Sequence, residues 1–222
     1  MLLAMDTSTR VLGVALYDGS RVVSESSWQS LDHHTVELSP AITDALKRAG
    51  IGVKDVRVVA VTTGPGSFTG LRIGMALAKG FALSCHIPLI GIPTLDVLAA
   101  AQPVNGTTLV AALQVGRGRL AVCWYKPVKG EWQASSPVTI LTAQELSRKI
   151  QKPTLVCGEL IPEEQQLLSR KRKNVHLVSP ANSLRRPAFL AELAWKRWRS
   201  GKLDNPATLS PLYIHYHEPI PG

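Results

Sequence analysis

The chain has 222 residues, 45% of them hydrophobic, enough for one large domain or two small ones with a real core. Cys85, Cys123 and Cys157 are odd in number and sit at no ligand spacing, which argues against a disulfide framework or zinc site and for a reducing cytoplasm. The net charge of +9 belongs wholly to the second half: residues 1–100 hold eight basic and eight acidic side chains, residues 101–222 seventeen and eight. That asymmetry suits a polyanion such as RNA, although a basic surface that only confers solubility is the more ordinary explanation. No apolar run approaches the roughly 20 residues of a membrane span. The opening MLLAMDTSTR lacks the basic start of a secretory signal, so no membrane or secretory role is expected.

Leu2–Met5, Val11–Tyr17 and Arg21–Trp28 read as three strands, with Asp6-Thr7-Ser8-Thr9 turning the first into the second and Asp18-Gly19 marking a hairpin before the third. An amphipathic helix is expected over 33–49, with Leu38, Ile42, Ala45 and Leu46 at helical spacing, Asp32 as its cap and a kink at Pro40 unless the helix starts later. Val58–Val61 is a buried-strand run, followed by a turn at Gly64-Pro65-Gly66 and a helix from near Gly70 that Ser67 and Thr69 are placed to cap. A short strand at Ile87–Ile90 and a helix at Thr94–Ala101 complete the first lobe, 1–103.

The second lobe, 104–222, opens similarly, with strands at Leu109–Val115 and Leu120–Tyr125 around a Gly116-Arg117-Gly118 turn. One strand over 132–140, a helix over 142–150, a strand at Thr154–Cys157, a helix over 162–170 and a strand at Val175–Val178 follow. Pro187–Arg199 is a helix with proline at its first position, and Leu209–His217 an extended end. The repeated strand–turn–strand openings hint at an internal duplication. The class is α/β with mixed sheets.

On the helix after Gly70, Arg72 and Lys79 share one narrow polar strip, and nearly everything else is apolar or small. Gly70, Gly74 and Ala78 stack four apart and predict a flat groove for close backbone approach. An apolar face this wide is expected to touch its own sheet and a second body.

The strings LLAMDTSTRVLGVAL, GPGSFTGLRIGMALAKGFA, RPAFLAELA and PLYIHYHEP resemble, in order along the whole chain, the bacterial TsaB (YeaZ) family. The resemblance implies a two-lobed fold of the actin, sugar-kinase and Hsp70-type ATPases. It implies a non-catalytic subunit that pairs with the larger paralogue TsaD, with the ATPase TsaE, to place threonylcarbamoyl on the adenosine beside the anticodon of tRNA. Helices 33–49 and 70–84 would then dock on TsaD, or on a second copy when TsaD is absent, through Leu38, Ile42, Leu46, Gly70, Ile73, Gly74, Leu77 and Ala78.

Working ATPases of that fold clamp phosphates between two turns, with a metal-directing acid in each. Asp6, Thr7 and Ser8 match the first turn, as a vestige, while Gln114-Val115-Gly116 stands where the family usually reads Asp-Ala-Arg and supplies no acid. Gly158 stands alone where an adenosine pocket needs a glycine-rich loop, so the cleft reads as degenerate. GPGSFTG lacks the Gly-Lys-Ser/Thr end of a phosphate loop, and Lys79 is more than two turns away, so a structural turn is the better account. Ser67 and Thr69 have no histidine or acid at a nucleophile spacing and read as caps.

TsaD-like proteins bind metal through histidines four apart, whereas His33 and His34 are adjacent. His215 and His217 share a strand face without a third ligand, so no metal is expected. Arg170, Lys171, Arg172 and Lys173, with Arg185-Arg186 and Lys196, Arg197, Arg199 and Lys202, are a solvated surface or a phosphate screen near tRNA; Trp195 and Trp198 are assigned to the core. No cofactor is expected within the chain, a nucleotide at the complex interface being left open. The rival readings are an active kinase or ATPase of the same fold and a stand-alone RNA-binding protein.

Overall fold

The computed structural model describes residues 1–30, 34–171 and 173–213. In chain order the first part gives β1 (Leu2–Asp6), β2 (Val11–Tyr17), β3 (Val22–Gln29), α1 (His34–Arg48), β4 (Val58–Gly64), α2 (Phe68–Cys85), β5 (Leu89–Pro93) and α3 (Thr94–Ala100). The second gives β6 (Thr108–Gln114), β7 (Leu120–Val128), β8 (Glu131–Ala134), β9 (Thr139–Leu141), α4 (Ala143–Lys149), β10 (Thr154–Glu159), α5 (Pro162–Ser169), β11 (Val175–Leu177) and α6 (Pro187–Arg199).

Two sheets repeat one plan. The first runs β3-β2-β1-β4-β5 and the second β11-β10-β6-β7-β8, with β9 beside β7. In each, an antiparallel meander of three strands is extended by two parallel strands beside its first member. The shared order gives the duplication hinted at by the strand–turn–strand openings a topological form.

Alternation along β1 builds two cores. Leu3 and Met5 join Leu38, Ile42, Leu46, Met75 and Ala78 beneath α1 and α2. Leu2 and Ala4 face the other way, toward Val97, Leu190, Ala191 and Ala194. A strand covered by helices on both faces has no solvent side, hence its unbroken apolar sequence. In the second sheet Val110, Ala112 and Val122 pack with Leu146 and Leu168 of α4 and α5. Leu109, Ala111, Leu113 and Tyr125 pack with Leu95, Leu98 and Ala99 of α3, which thereby lies between the sheets.

Three expectations change. The single strand over 132–140 is two, β8 and β9, both paired with β7 and interrupted at Ser135-Ser136-Pro137. The strand after α2 starts at Leu89, because His86 closes the helix in the left-handed region and the Ile87 amide donates back to the Ala82 carbonyl. Most important, α6 leaves the second half of the sequence and packs on β1, β2 and β5, so 104–222 is not one lobe. Trp195 meets Tyr17 edge-on at 5.6 Å and Trp198 at 4.9 Å, which places both tryptophans against the first lobe's core. Helix α1 continues through Pro40 from His34 to Arg48; its expected cap, Asp32, lies outside the described residues.

One buried acid sets a pH dependence. Burial pushes the Asp96 carboxyl up, partly countered by the Tyr125 hydroxyl, which donates to its Oδ1 at 2.7 Å. The folded chain therefore holds this proton more tightly than the unfolded one, and the contribution to stability is fullest at low pH and falls as pH rises through the raised value. Thermal melts of Asp96→Asn should match the parent at about pH 4 and exceed it at about pH 8. Equal shifts at both pH values would count against this.

Candidate functional site

The carboxyl ends of β1, β4, β6 and β10 meet between the lobes, where α/β folds place their sites. Two adjoining cavities of about 560 and 590 Å³ lie there and share Gln114 and Glu159. One extends beneath Gly158, Leu160, Pro180 and Ser183, the other beneath Thr9, Ser67 and Gly116.

Asp6, Thr7 and Ser8 lie buried beneath this cleft, lining neither cavity, and every one of them is already engaged. Asp6 is 1% exposed. Its Oδ1 accepts from the Ser8 amide at 2.8 Å and the Thr62 hydroxyl at 3.0 Å. Thr7 donates to the Gly70 carbonyl at 2.7 Å, and the Ser8 and Thr94 hydroxyls lie 2.9 Å apart. Gln114, which lines both cavities, donates from its amide to Glu164 at 2.6 Å.

The residue that organises the cleft is Arg185, from the segment before α6. Its Nε donates to Asp6 Oδ2 at 2.8 Å, its Nη1 to Glu159 Oε1, and its Nη2 to the Thr9 hydroxyl at 2.8 Å and the Val11 carbonyl at 3.0 Å. Burial opposes the charge, but Asp6 and Glu159 more than offset it and hold the guanidinium pKa above its usual value. Arg185 is thus no part of a phosphate screen. Sequence shows charge runs and not partners, so it groups Arg185 with Arg186; Arg186 itself pairs with Glu25, Lys196 with Glu131 and Arg197 with Asp204.

The GPGSFTG turn packs on this acid turn. Ser67 caps α2, accepting from the Gly70 amide at 3.3 Å, and its own amide donates to the Ser8 carbonyl at 2.6 Å. The helix begins at Phe68, so Thr69 lies inside it and is no cap. A Cβ at Gly70 would collide with the Thr7 carbonyl, and one at Gly74 with the Thr7 hydroxyl. The stripe of Gly70, Gly74 and Ala78 therefore faces β1 within its own lobe and offers nothing to a partner. Leu38, Ile42 and Leu46 are likewise buried, at 1%, 5% and 6% exposure, because a helix first buries its apolar stripe on its own sheet. Of the proposed interface set only Ile73 and Leu77 stay half-exposed. Beside them the outward face of α2 carries exposed Ala76, Gly80 and Leu83, and a Cβ at Gly80 would meet open space.

Arg170, Lys171 and Lys173 sit in the loop before β11, at the amino end of β10 and so opposite the cleft; Lys171 donates to the Ile150 carbonyl at 3.3 Å. Arg172, His33, His215 and His217 lie outside the described residues, as does the end of the extended segment. Among the described residues no three histidine, cysteine or acidic side chains gather as a metal site. His34 instead bonds the Thr9 carbonyl at 3.0 Å.

A family model described as "TsaD: tRNA N6-adenosine threonylcarbamoyltransferase" matches residues 28–176. The protein named "tRNA threonylcarbamoyladenosine biosynthesis protein TsaB" of Buchnera aphidicola subsp. Schizaphis graminum is 40% identical over 72% of this chain and 78% of its own length. Its namesake from Escherichia coli K12 is 32% identical over 68% of this chain and 66% of that protein, just under two thirds of it. Among solved structures, YeaZ from Pseudomonas aeruginosa superposes with a TM-score of 0.77 at 24% identity, covering 95% of this chain and 99% of that one. An activator of 2-hydroxyisocaproyl-CoA dehydratase from Clostridium difficile, solved with bound ADPNP, shares the fold at a TM-score of 0.52 and 11% identity, over 90% and 96% of the two chains.

Proposed function

This chain belongs to the TsaB (YeaZ) family, within the wider threonylcarbamoyltransferase family, and on that premise we propose that it is a non-catalytic subunit supporting a TsaD-type transferase in the cytoplasm. The modification is threonylcarbamoyl on the adenosine beside the anticodon of tRNA. The observation that carries this reading is the 40% identity to a TsaB protein across 78% of that protein's length. A TsaE-type ATPase and tRNA are partners through the assembly, a second copy of the chain replaces the transferase in its absence, and no cofactor resides in this subunit. Against an active kinase of the same fold stands the occupied acid turn, with Asp6 bonded to Arg185 and Gln114 to Glu164. Depleting the protein and measuring tRNA nucleosides by mass spectrometry tests the function. Loss of threonylcarbamoyladenosine is expected, and an unchanged level overturns the assignment.

Docking is proposed on the outward face of α2, through Ile73, Ala76, Leu77, Gly80 and Leu83. This face is supported by Leu83, which is 63% exposed although apolar, and by two small residues four apart that let another helix approach. No described helix is long and apolar enough to cross a membrane, so that face is not explained by a span. Gly80→Arg places a large cation in the centre of this face and replaces glycine in an exposed helix, which should stabilise the monomer by up to about 1 kcal/mol. Co-purification with the transferase should fall at least tenfold. Undiminished capture would remove α2 from the interface.

A further inference from the structure

We propose that Arg185 is an internal bolt that closes the two lobes on each other and fills, with a protein cation, the place where a nucleotide-binding member of this fold would need a free acid for its metal. The inference rests on the cleft geometry and is independent of the role in tRNA modification.

The bolt joins both lobes at their facing edges. Asp6, Thr9 and Val11 belong to the first sheet and its turn, and Glu159 ends β10 of the second. A planar guanidinium presents donors in a fixed fork, so one Arg185 side chain spans carboxylates on two bodies, which the compact ammonium of lysine cannot match. The Thr9 hydroxyl adds a direct bond to Glu159 at 3.3 Å. Behind the cleft, α3 packs into the second sheet's core and Tyr125 donates to Asp96. The lobes are therefore held at the back by apolar packing and at the front by charge.

At the acid turn the same geometry leaves no place for a magnesium–triphosphate. A divalent ion needs a carboxylate with free oxygens, yet Asp6 Oδ1 accepts two hydrogen bonds and Oδ2 accepts from Arg185. Arg185 has no exposed side-chain surface, so it cannot turn outward to receive a phosphate while the bolt is closed. The opposite turn offers Gln114 in place of an acid, and its amide nitrogen donates to Glu164. The residues present do not fit the metal-bound nucleotide that the fold implies.

The test uses the full chain with Cys85→Ser and spin labels on cysteines placed at exposed Thr43 and Gln166, one in each lobe. Pulsed electron resonance should give one narrow interlobe distance that Mg·ATP leaves unchanged, and calorimetry should detect no Mg·ATP binding at millimolar concentration. Arg185→Lys keeps the buried charge but loses the fork and should widen the distance distribution at least twofold. Should that variant fail to fold, the uncharged set Asp6→Asn, Arg185→Met and Glu159→Gln provides the second reading, with the same widening expected. Either a Mg·ATP-dependent shift in the parent, or an unchanged width in the variant that folds, overturns the proposal.

Discussion

Arg185→Ala should cost about 3–5 kcal/mol of folding free energy, the usual penalty for removing one partner of a buried ion pair. The side chain has no exposed surface and makes four hydrogen bonds to protein acceptors, so its loss leaves Asp6, 1% exposed, without its guanidinium partner. At a few degrees of melting temperature per kcal/mol for a chain of this size, the melt should drop by roughly 10 °C. The contrasting variant replaces the whole group: Asp6→Asn, Arg185→Met and Glu159→Gln together. With no charge left unpaired, most of the lost stability should return, since an uncharged replacement of a buried ion pair is often close to neutral. Denaturant titrations of both proteins decide the matter. Losses of under 1 kcal/mol in the single variant, or equal losses in both, would mean that the ionic network contributes little beyond packing.

The second large effect is expected at Gly74. The spacing of Gly70, Gly74 and Ala78 suggests a stripe held open for a partner, which would make Gly74→Leu harmless to the monomer. The structure reverses that expectation. A side chain at position 74 would drive into the Thr7 hydroxyl, which is held in place by its bond to the Gly70 carbonyl. Overpacking of an ordinary core costs about 1–3 kcal/mol. Here the obstruction lies beside a hydrogen-bonded turn that also positions Asp6, so the cost should reach the top of that range or exceed it. Soluble yield and melting temperature should both fall for Gly74→Leu, while Gly80→Arg on the opposite face of α2 should express as the parent does. A folded, parent-like Gly74→Leu protein would show that β1 and α2 can separate at no cost.

The two glycines show where sequence is informative and where it stops. Helical spacing identified α2 and its wide apolar girth, and the bounds Val11–Tyr17 and Pro187–Arg199 follow from apolar runs and from a proline at a helix start. Periodicity does not say which arc of a helix turns inward when nearly every arc is apolar or small. The inward arc is set by Thr7 and Ser8, some 60 residues away in the chain. Arg185 was harder still. A buried aspartate at the end of an apolar strand calls for a cation, but the sequence holds 25 lysines and arginines and nothing local marks the one that answers. Sequence position also misassigned α6, because an amphipathic helix reports that it needs a sheet and not which of two similar sheets it covers. The acid turn itself was legible, since Asp6-Thr7-Ser8 lies at the end of β1 in a motif that carries family identity.

The return of α6 to the first sheet has a consequence for the making of the protein. Leu2, Ala4, Ile90 and Ile92 line the face that α6 covers, and all are nearly or wholly buried in the finished molecule. Their cover lies at residues 187–199. That face of β1 is thus enclosed late, and the entire second sheet is synthesised while it still lacks its lid. Vectorial folding, in which an N-terminal unit settles before the next one emerges, can enclose the face under α1 and α2 but not the one under α6. A nascent chain halted before residue 187 should bind chaperones that recognise apolar sheet surface, and emergence of α6 should end that dependence.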